Sequence, residues 1–413
     1  MPPGSVVLQA NIKSMRTLTG AFIVFALCFI SCKKDTGTEN INITVGGLLS
    51  LSGNWSSLGL TSKEAMNLAV NDINGYMEQT ASRYRFSTVM YDTKLDTSLT
   101  QKAIRDGLNA NIRYYIGPQS SAELGAIRSF ADSNNLLVVS QSSTAGSLAI
   151  ANDAVFRFCP GDAVEGGAVA KTIFASGRTV VVTLARDDAG NRGLQQSVGT
   201  VFSSLGGSVD AIAPYAINTT DYAAVLSALK TKLLQHIGSE GENKVAVYLA
   251  SFDECIDLFR QAKSDPLFSS VHWYGGDGVA LSNVLISDNQ AASFAASTQF
   301  FAPGFGLPLQ PHPDLASILS TIKSKTGIEP DAYALAAYDA MWVIARTVIA
   351  LPPGANTFTK VKTMFRSEAN RYFGITGPVL LNADGDRSTG SFDYWGIEQA
   401  GGTYKWKLVG KSM

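Results

Sequence analysis

The chain has 413 residues, 46% apolar and only 16% charged, which is enough for two globular lobes with separate cores and too apolar for an extended disordered chain. Its formal charge is -1, with no basic block and no basic stripe interleaved with aromatic residues, so it lacks the electrostatic footprint of a nucleic-acid binder. His236, His272 and His312 are scattered, and H-E-x-x-H or paired C-x-x-C motifs are missing from the sequence, so no metal or other cofactor is expected.

At the N-terminus, Arg16 precedes an unbroken apolar run, GAFIVFALCFI at 20–30. That is short for a bilayer span and well sized for the core of a signal peptide. SCKKD follows at once. A small residue before Cys32, directly after such a core, resembles a bacterial lipoprotein box in which Cys32 is diacylated and becomes the mature first residue. Phe29 stands where that motif usually has Leu, and Cys28, behind bulky Leu27, is the poorer match. Residues 1–14 lack a basic start, whereas Met15 makes a proper one. Residues 1–31 are thus expected to be a signal peptide that directs an envelope lipoprotein, facing the periplasm or the cell surface; an uncleaved anchor is the alternative. Cleavage removes Lys13 and Arg16, so 33 basic residues become 31 against 34 acidic ones, a net charge of -3. Residues 32–40 form a polar tether. Cys159 and Cys255 are expected as isolated buried thiols, although an oxidising compartment permits a disulfide.

From Ile41, β-rich runs alternate with segments of helical period. INITVGGLL, RFSTVMY, YYIG, LLVVS, TVVVTLA, SVDAIAPY, KVAVYLA and SVHWYGG read as strands. TSKEAMNLAVNDINGYM, TSLTQKAIRDGLNAN, SAELGAIRSFADSNN and TTDYAAVLSALKTKLLQHI are apolar near i, i+3, i+4 and i+7. Regular alternation predicts parallel sheets covered on both faces, and so many βα units predict two sheets of about five strands rather than one. DAYALAAYDAMWVIARTVIA, apolar on more than one face, predicts a buried helix. TGPVLLNADGDRSTGSFDYWGI predicts a hairpin turning at Asp384, Gly385 and Asp386; this acidic turn lacks the ligand series of a calcium loop. In doubly wound sheets ligands lie beyond the carboxyl ends of strands. The hydroxyl clusters at Ser120–Ser121 and Ser140–Thr144 fall there, as ligand floor or as ordinary turn and cap chemistry.

Several blocks then match a known family in order: GLLSLSGNWSSLG with EAMNLAVNDIN, YIGPQSSAE, VVSQSSTAGSL, VFRFCPGDAVEGGAVAKTI and HWYGGDGVA. The chain from about Ile41 onward resembles the type I periplasmic solute-binding proteins of the branched-chain amino acid (Leu/Ile/Val-binding) group. The resemblance implies an α/β fold of two Rossmann-like lobes with parallel-sheet cores, joined by three crossovers and hinged over a cleft. The crossovers are expected near Phe158, Ala302 and Leu351, giving lobe 1 as 41–158 with 303–351 and lobe 2 as 159–302 with 352–413. It further implies a monomeric receptor that delivers an amino acid or similar zwitterion to an ABC permease. Ser121 falls at the position that holds the ligand carboxylate, and Ser142 and Thr144 at those supplying a backbone group and a hydroxyl. Asp277 falls at the acid that takes the ammonium group, and Leu58, with Trp55 close by, at an apolar wall. Gly190 stands where the family often has an aromatic residue, and Phe252 is the candidate substitute.

The physical reading agrees. A helix starting near Ser121 presents unpaired N–H groups and partial positive charge, suited to a carboxylate. An ammonium group needs an anion on the opposite lobe, and Asp277, among Gly275, Gly276 and Gly278, follows an apolar strand where small neighbours allow close approach. The rival classes are an enzyme and an envelope lipoprotein that senses or contacts other proteins without transport. The sequence has no G-x-S-x-G, no P-loop and no His beside a nucleophile, so no enzyme is expected. The sensor differs from the receptor only in what its cleft and surface present.

Overall fold

The computed structural model describes residues 39–308, 310–351 and 357–412; the expected signal peptide and Cys32 lie outside them. The first sheet contains β1 (Ile41–Leu49), β2 (Tyr84–Asp92), β3 (Tyr114–Ile116), β4 (Leu137–Ser140) and β5 (Val155–Arg157), all parallel in the order β2-β1-β3-β4-β5. Its crossovers are α1 (Ser56–Gln79), α2 (Thr97–Asn109) and α3 (Ser121–Asn134). Successive strand residues point to opposite faces, and here both faces are buried. Tyr115 and Val138 pack with Ile104, Leu124 and Ile127 on one side, while Ile116 and Val139 pack with Ala65, Met66 and Ala69 of α1 on the other. That double burial explains why these strands read as continuous apolar runs rather than alternating ones.

The second sheet is built on the same plan and is wider. After α4 (Asp162–Ala175) come β6 (Val180–Ala185), α5 (Ala189–Ser204), β7 (Ser208–Ala211), β8 (Val245–Ala250), β9 (His272–Gly275) and β10 (Phe301–Phe305). A two-residue pair follows, β11 (Phe373–Gly374) with β12 (Gly377–Pro378), and then β13 (Phe392–Ala400) and β14 (Thr403–Lys411). The order is β14-β13-β10-β9-β8-β6-β7, with β13 and β14 antiparallel. Five strands were expected, and the extra two form the C-terminal hairpin. It closes at Gly401 and Gly402, with φ of 60° and 82°, a backbone region open to glycine. The expected turn does exist: Asn382 N–H donates to Asp386 O at 2.8 Å, and Leu381 bridges Arg387. It is a local loop stitched to β5 through Arg157 and Asp386, not the apex of the long hairpin.

The chain leaves the first lobe between β5 and α4 and returns after β10, whose last residue is Phe305, a few residues beyond the expected Ala302. The third crossing corrects the expectation near Leu351. Helix Phe358–Asn370 buries Phe365 and Ala369 in the first-lobe core, with the Phe365 ring 4.6 Å from Phe156, and Ile375, Val379 and Leu381 join the same core. Buried Asp339, on helix Ala332–Ala350, fixes this segment: it accepts from Ile375 N–H at 2.8 Å, Thr376 N–H at 3.0 Å and the Thr376 hydroxyl at 2.6 Å. The crossing therefore falls between Arg387 and β13. Helix Ala332–Ala350 is itself long and apolar enough to cross a membrane, but 83% of its apolar window is buried in the protein, as expected of a core helix.

Candidate functional site

Adjacent serines at the start of α3 divide the work. Ser120 is the N-cap: its Oγ accepts from Glu123 N–H at 3.3 Å, and the Glu123 carboxylate accepts from Ser120 N–H at 3.2 Å, the reciprocal box that satisfies two orphan donors. Ser121 is thus free of capping. Its Oγ accepts from Ala145 N–H at 3.1 Å and from the Ser143 hydroxyl at 3.0 Å, which ties the loop after β4 to the loop after β3. Within that second loop Ser140 and Ser143 brace the backbone: Ser140 Oγ donates to Pro118 O at 2.7 Å and accepts from Ser143 N–H at 3.0 Å. Ser142 Oγ donates to Gln119 O at 3.0 Å.

Ser121, Ser142 and Thr144 meet Asp277 around one small cavity, together with Trp55, Ser120, Gly190, Asn191, Leu194 and Phe252. Six of the seven expected ligand-binding residues therefore converge. The seventh, Leu58, is buried behind the wall with Cys159, Phe305 and Tyr333 and does not reach the cavity surface. Trp55 holds a left-handed backbone, φ 57°, unusual for a residue with a Cβ. Its N–H donates to Asp253 Oδ2 at 2.7 Å and its ring lies 4.8 Å from Phe252, so the aromatic wall is shared between the lobes. Arg186 stacks over Phe252 from behind at 5.1 Å.

Asp277 follows β9 and is buried. Its Oδ2 accepts from the Tyr333 hydroxyl at 2.9 Å, and its N–H donates to Glu165 Oε1 at 3.1 Å. Burial pushes its carboxyl up to about 7; the Tyr333 hydrogen bond opposes this, and the charges of Asp162 and Asp331 add to it. The neighbouring glycines serve packing rather than ligand approach. A Cβ on Gly278 would meet Ser251 O at 2.5 Å, and one on Gly276 would lie 3.2 Å from both Leu194 and the Tyr248 hydroxyl. Gly190 faces Ser121 across the cavity, where a Cβ would sit 3.5 Å from Ser121 Oγ, so a ring there would collide with the first lobe at this closure.

Sequence reasoning missed Asn191, Leu194 and Tyr333. The first two sit at the start of α5, again beyond a strand end, and that position was the available signal. Tyr333 comes from a helix distant in sequence. The free volume between the lobes is about 10 Å³, about enough for one water, so a solute enters only when the lobes part. Cys159 and Cys255 are free and buried. A larger groove of about 720 Å³ lies on the outer face of the second sheet, among Lys171, Tyr274, Phe301 and Tyr394. All of those side chains belong to one lobe, so lobe motion cannot close the groove on a solute, and the small interlobe cavity is the better candidate.

The chain is 27% identical to an uncharacterised protein of Methanocaldococcus jannaschii, covering 95% of this chain and 96% of the relative. Among solved structures it is similar to the leucine-binding protein LivK of Thermotoga maritima, with a TM-score of 0.71 at 20% identity over 90% of this chain and 98% of that one. It is similar also to LivJ of Streptococcus pneumoniae, solved with isoleucine, with a TM-score of 0.72 at 19% identity over 91% and 99%. A solute-binding protein of Rhodopseudomonas palustris, solved with p-hydroxybenzoic acid, gives 0.70 at 15% identity over 90% and 97%. These likenesses establish the two-lobed type I periplasmic-binding-protein fold, and the variety of their ligands leaves this chain's own ligand to its side chains. A family model, the receptor family ligand binding region, matches residues 61–399, and the protein belongs to that family.

Proposed function

We propose that the protein is a lipid-anchored, extracytoplasmic solute-binding protein that captures an amino acid or similar zwitterion between its lobes for import by an ABC-type permease. The observation that carries this reading is the convergence, on one small cavity, of Ser121, Ser142 and Thr144 from the first lobe with the buried acid Asp277 from the second. The ligand carboxylate is held by the first turn of α3, where the N–H groups of Ser121 and Ala122 have no intrahelical acceptor, by the hydroxyls of Ser121 and Thr144, and by a backbone group of Ser142, whose own hydroxyl is taken up by Gln119 O. The ligand ammonium is held by Asp277. None of the ten lining residues is basic, so the helix terminus supplies the positive potential. Closure brings both ends of the zwitterion to partners on opposite lobes, and the lobe movement is the signal the permease reads.

The test is a thermal-shift screen of residues 33–413, which contain the compact body Asn40–Met413, against the amino acids. A ligand present at a hundredfold above its Kd stabilises the protein by about 2.7 kcal/mol. Ser121→Ala and Asp277→Asn are each expected to abolish the shift in a protein that still folds. An undiminished shift with Asp277→Asn sinks the zwitterion geometry, and a wild-type protein stabilised by no amino acid sinks the reading itself.

A further inference from the structure

The cavity floor and the three chain crossings share one buried cluster of side chains. Arg157 ends β5 and is buried, and its guanidinium faces two different partners. One edge grips Asp386, with Nε at 2.6 Å and Nη2 at 2.5 Å from the carboxylate oxygens. On the other side Nη1 donates to Ala145 O at 2.7 Å and to Ser143 O at 3.3 Å, the carbonyls that flank Thr144. Those two residues in turn donate to Ser121 Oγ, Ala145 through its N–H and Ser143 through its hydroxyl. Arg157 therefore stands directly behind two residues that line the cavity, Ser121 and Thr144. Asp386 lies at the entry to the third crossing, and its neighbour Arg387 reaches the other two. Arg387 Nη1 donates to Phe158 O at 3.3 Å, where the chain leaves β5, and its guanidinium lies 4.7 Å over the ring of Phe305, the last residue of β10. Backbone bonds close the joint: Arg157 N–H donates to Gly385 O at 3.0 Å, and Arg387 N–H to Arg157 O at 2.9 Å.

A buried ion pair adds little net stability over an apolar pair of similar volume, so packing alone does not call for this one. What neither an apolar residue nor a lysine supplies is a planar fork that takes a carboxylate along one edge and two carbonyls beside it. We propose that Arg157 is a positioning residue: it sets the loop 143–145 for the solute carboxylate and, through Asp386, ties that loop to the hinge, so that a solute seated at Thr144 is felt at all three crossings. This rests on the solute reading of the cavity and adds how the first-lobe half of the site is coupled to lobe movement. The coupling is reciprocal, since a loop held in place by the hinge biases the hinge in return. Among the described residues no hydrogen bond joins Asp386 to the loop directly; its carboxylate acts there only through Arg157.

The experiment is hydrogen exchange on unliganded residues 33–413 as wild type, as Arg157→Lys, which keeps the charge and loses the fork, and as Asp386→Asn, which keeps the shape and loses the charge. Both variants are expected to speed exchange in residues 143–146 by about tenfold or more, the effect of one lost charge-assisted hydrogen bond, while β8 and residues 65–73 of α1 keep wild-type protection. Exchange raised evenly through both lobes would make the pair a plain structural support. A loop left unchanged by Asp386→Asn would break the tie to the hinge. Either result overturns the inference. Isothermal titration with L-leucine gives the second readout: both variants are expected to bind about tenfold more weakly than the wild type, and wild-type affinity in both overturns the positioning role. A wild type that binds no amino acid sinks the solute reading alone, and the exchange pattern then decides the tie.

Discussion

Asp277 shows what the local sequence could and could not convey. Its place at a strand end beside glycines was legible, because the run SVHWYGG ends where a ligand would meet the sheet. Its environment was not legible, because Tyr333 and Glu165 come from distant parts of the chain. The same limit applied at α3, where the cap was written in the sequence as Ser120 with Glu123 three residues on, yet only the fold showed that Ser121 is the hydroxyl left over for the cavity. With its carboxyl raised from 3.8 to about 7 by burial, folded Asp277 binds more protons than unfolded Asp277 between those values. Its contribution to the stability of the unliganded protein is therefore full below pH 4 and is lost as pH rises through 7. Asp162 and Asp253, each pushed up to about 6 by burial, act in the same direction. The proposed amino-acid binding, which would need Asp277 ionised, has the opposite slope, with affinity falling by up to about tenfold per pH unit below 7. Tyr333→Phe removes the donor that favours the ionised form. Titration across pH 5 to 9 is expected to show the affinity midpoint moved upward, with weaker binding at pH 7 that recovers in more alkaline buffer; an unmoved midpoint refutes the role given to Tyr333.

Secondary-structure elements were legible wherever one period ran long enough. The eight strands read from β1 to β9 are present, and the parallel, doubly covered sheets follow from their unbroken apolar character. The third crossing was misplaced because the helix Phe358–Asn370 has an apolar face that, read from sequence alone, suits either lobe. What assigns it is Asp339, an acid hidden in the middle of the most apolar helix. It accepts three hydrogen bonds from Ile375 and Thr376, with Tyr372 adding a longer one at 3.3 Å. Removing the acceptor leaves those buried N–H groups unpaired, so Asp339→Ala is expected to destabilise the protein by about 2–5 kcal/mol. Hydrogen exchange should show residues 372–376 losing protection first. Protection lost evenly along the chain would mean that Asp339 supports the core generally and does not dock this segment.

At the scale of the whole molecule, the closed cleft is held by contacts the ligand does not make. Trp55 N–H donates to Asp253, Asn283 N–H donates to Ser57 Oγ at 3.0 Å, and the Asn54 amide reaches Glu254 at 3.4 Å. Asp253 is central among these because it also accepts the Ser282 hydroxyl within its own lobe. It links the aromatic wall at Trp55 to the opposite lobe through one buried carboxyl. The free energy of closure is therefore divided between these contacts and the ligand, and weakening the former shifts the unliganded protein toward the open form by mass action. Asp253→Ala is expected to increase the radius of gyration of the unliganded protein in small-angle scattering, and saturating ligand to restore the wild-type value. Its affinity should fall, since ligand binding must then supply the closure that Asp253 had supported. Identical scattering curves for variant and wild type would show that closure at this cleft is set elsewhere, in the three crossings rather than at its lips.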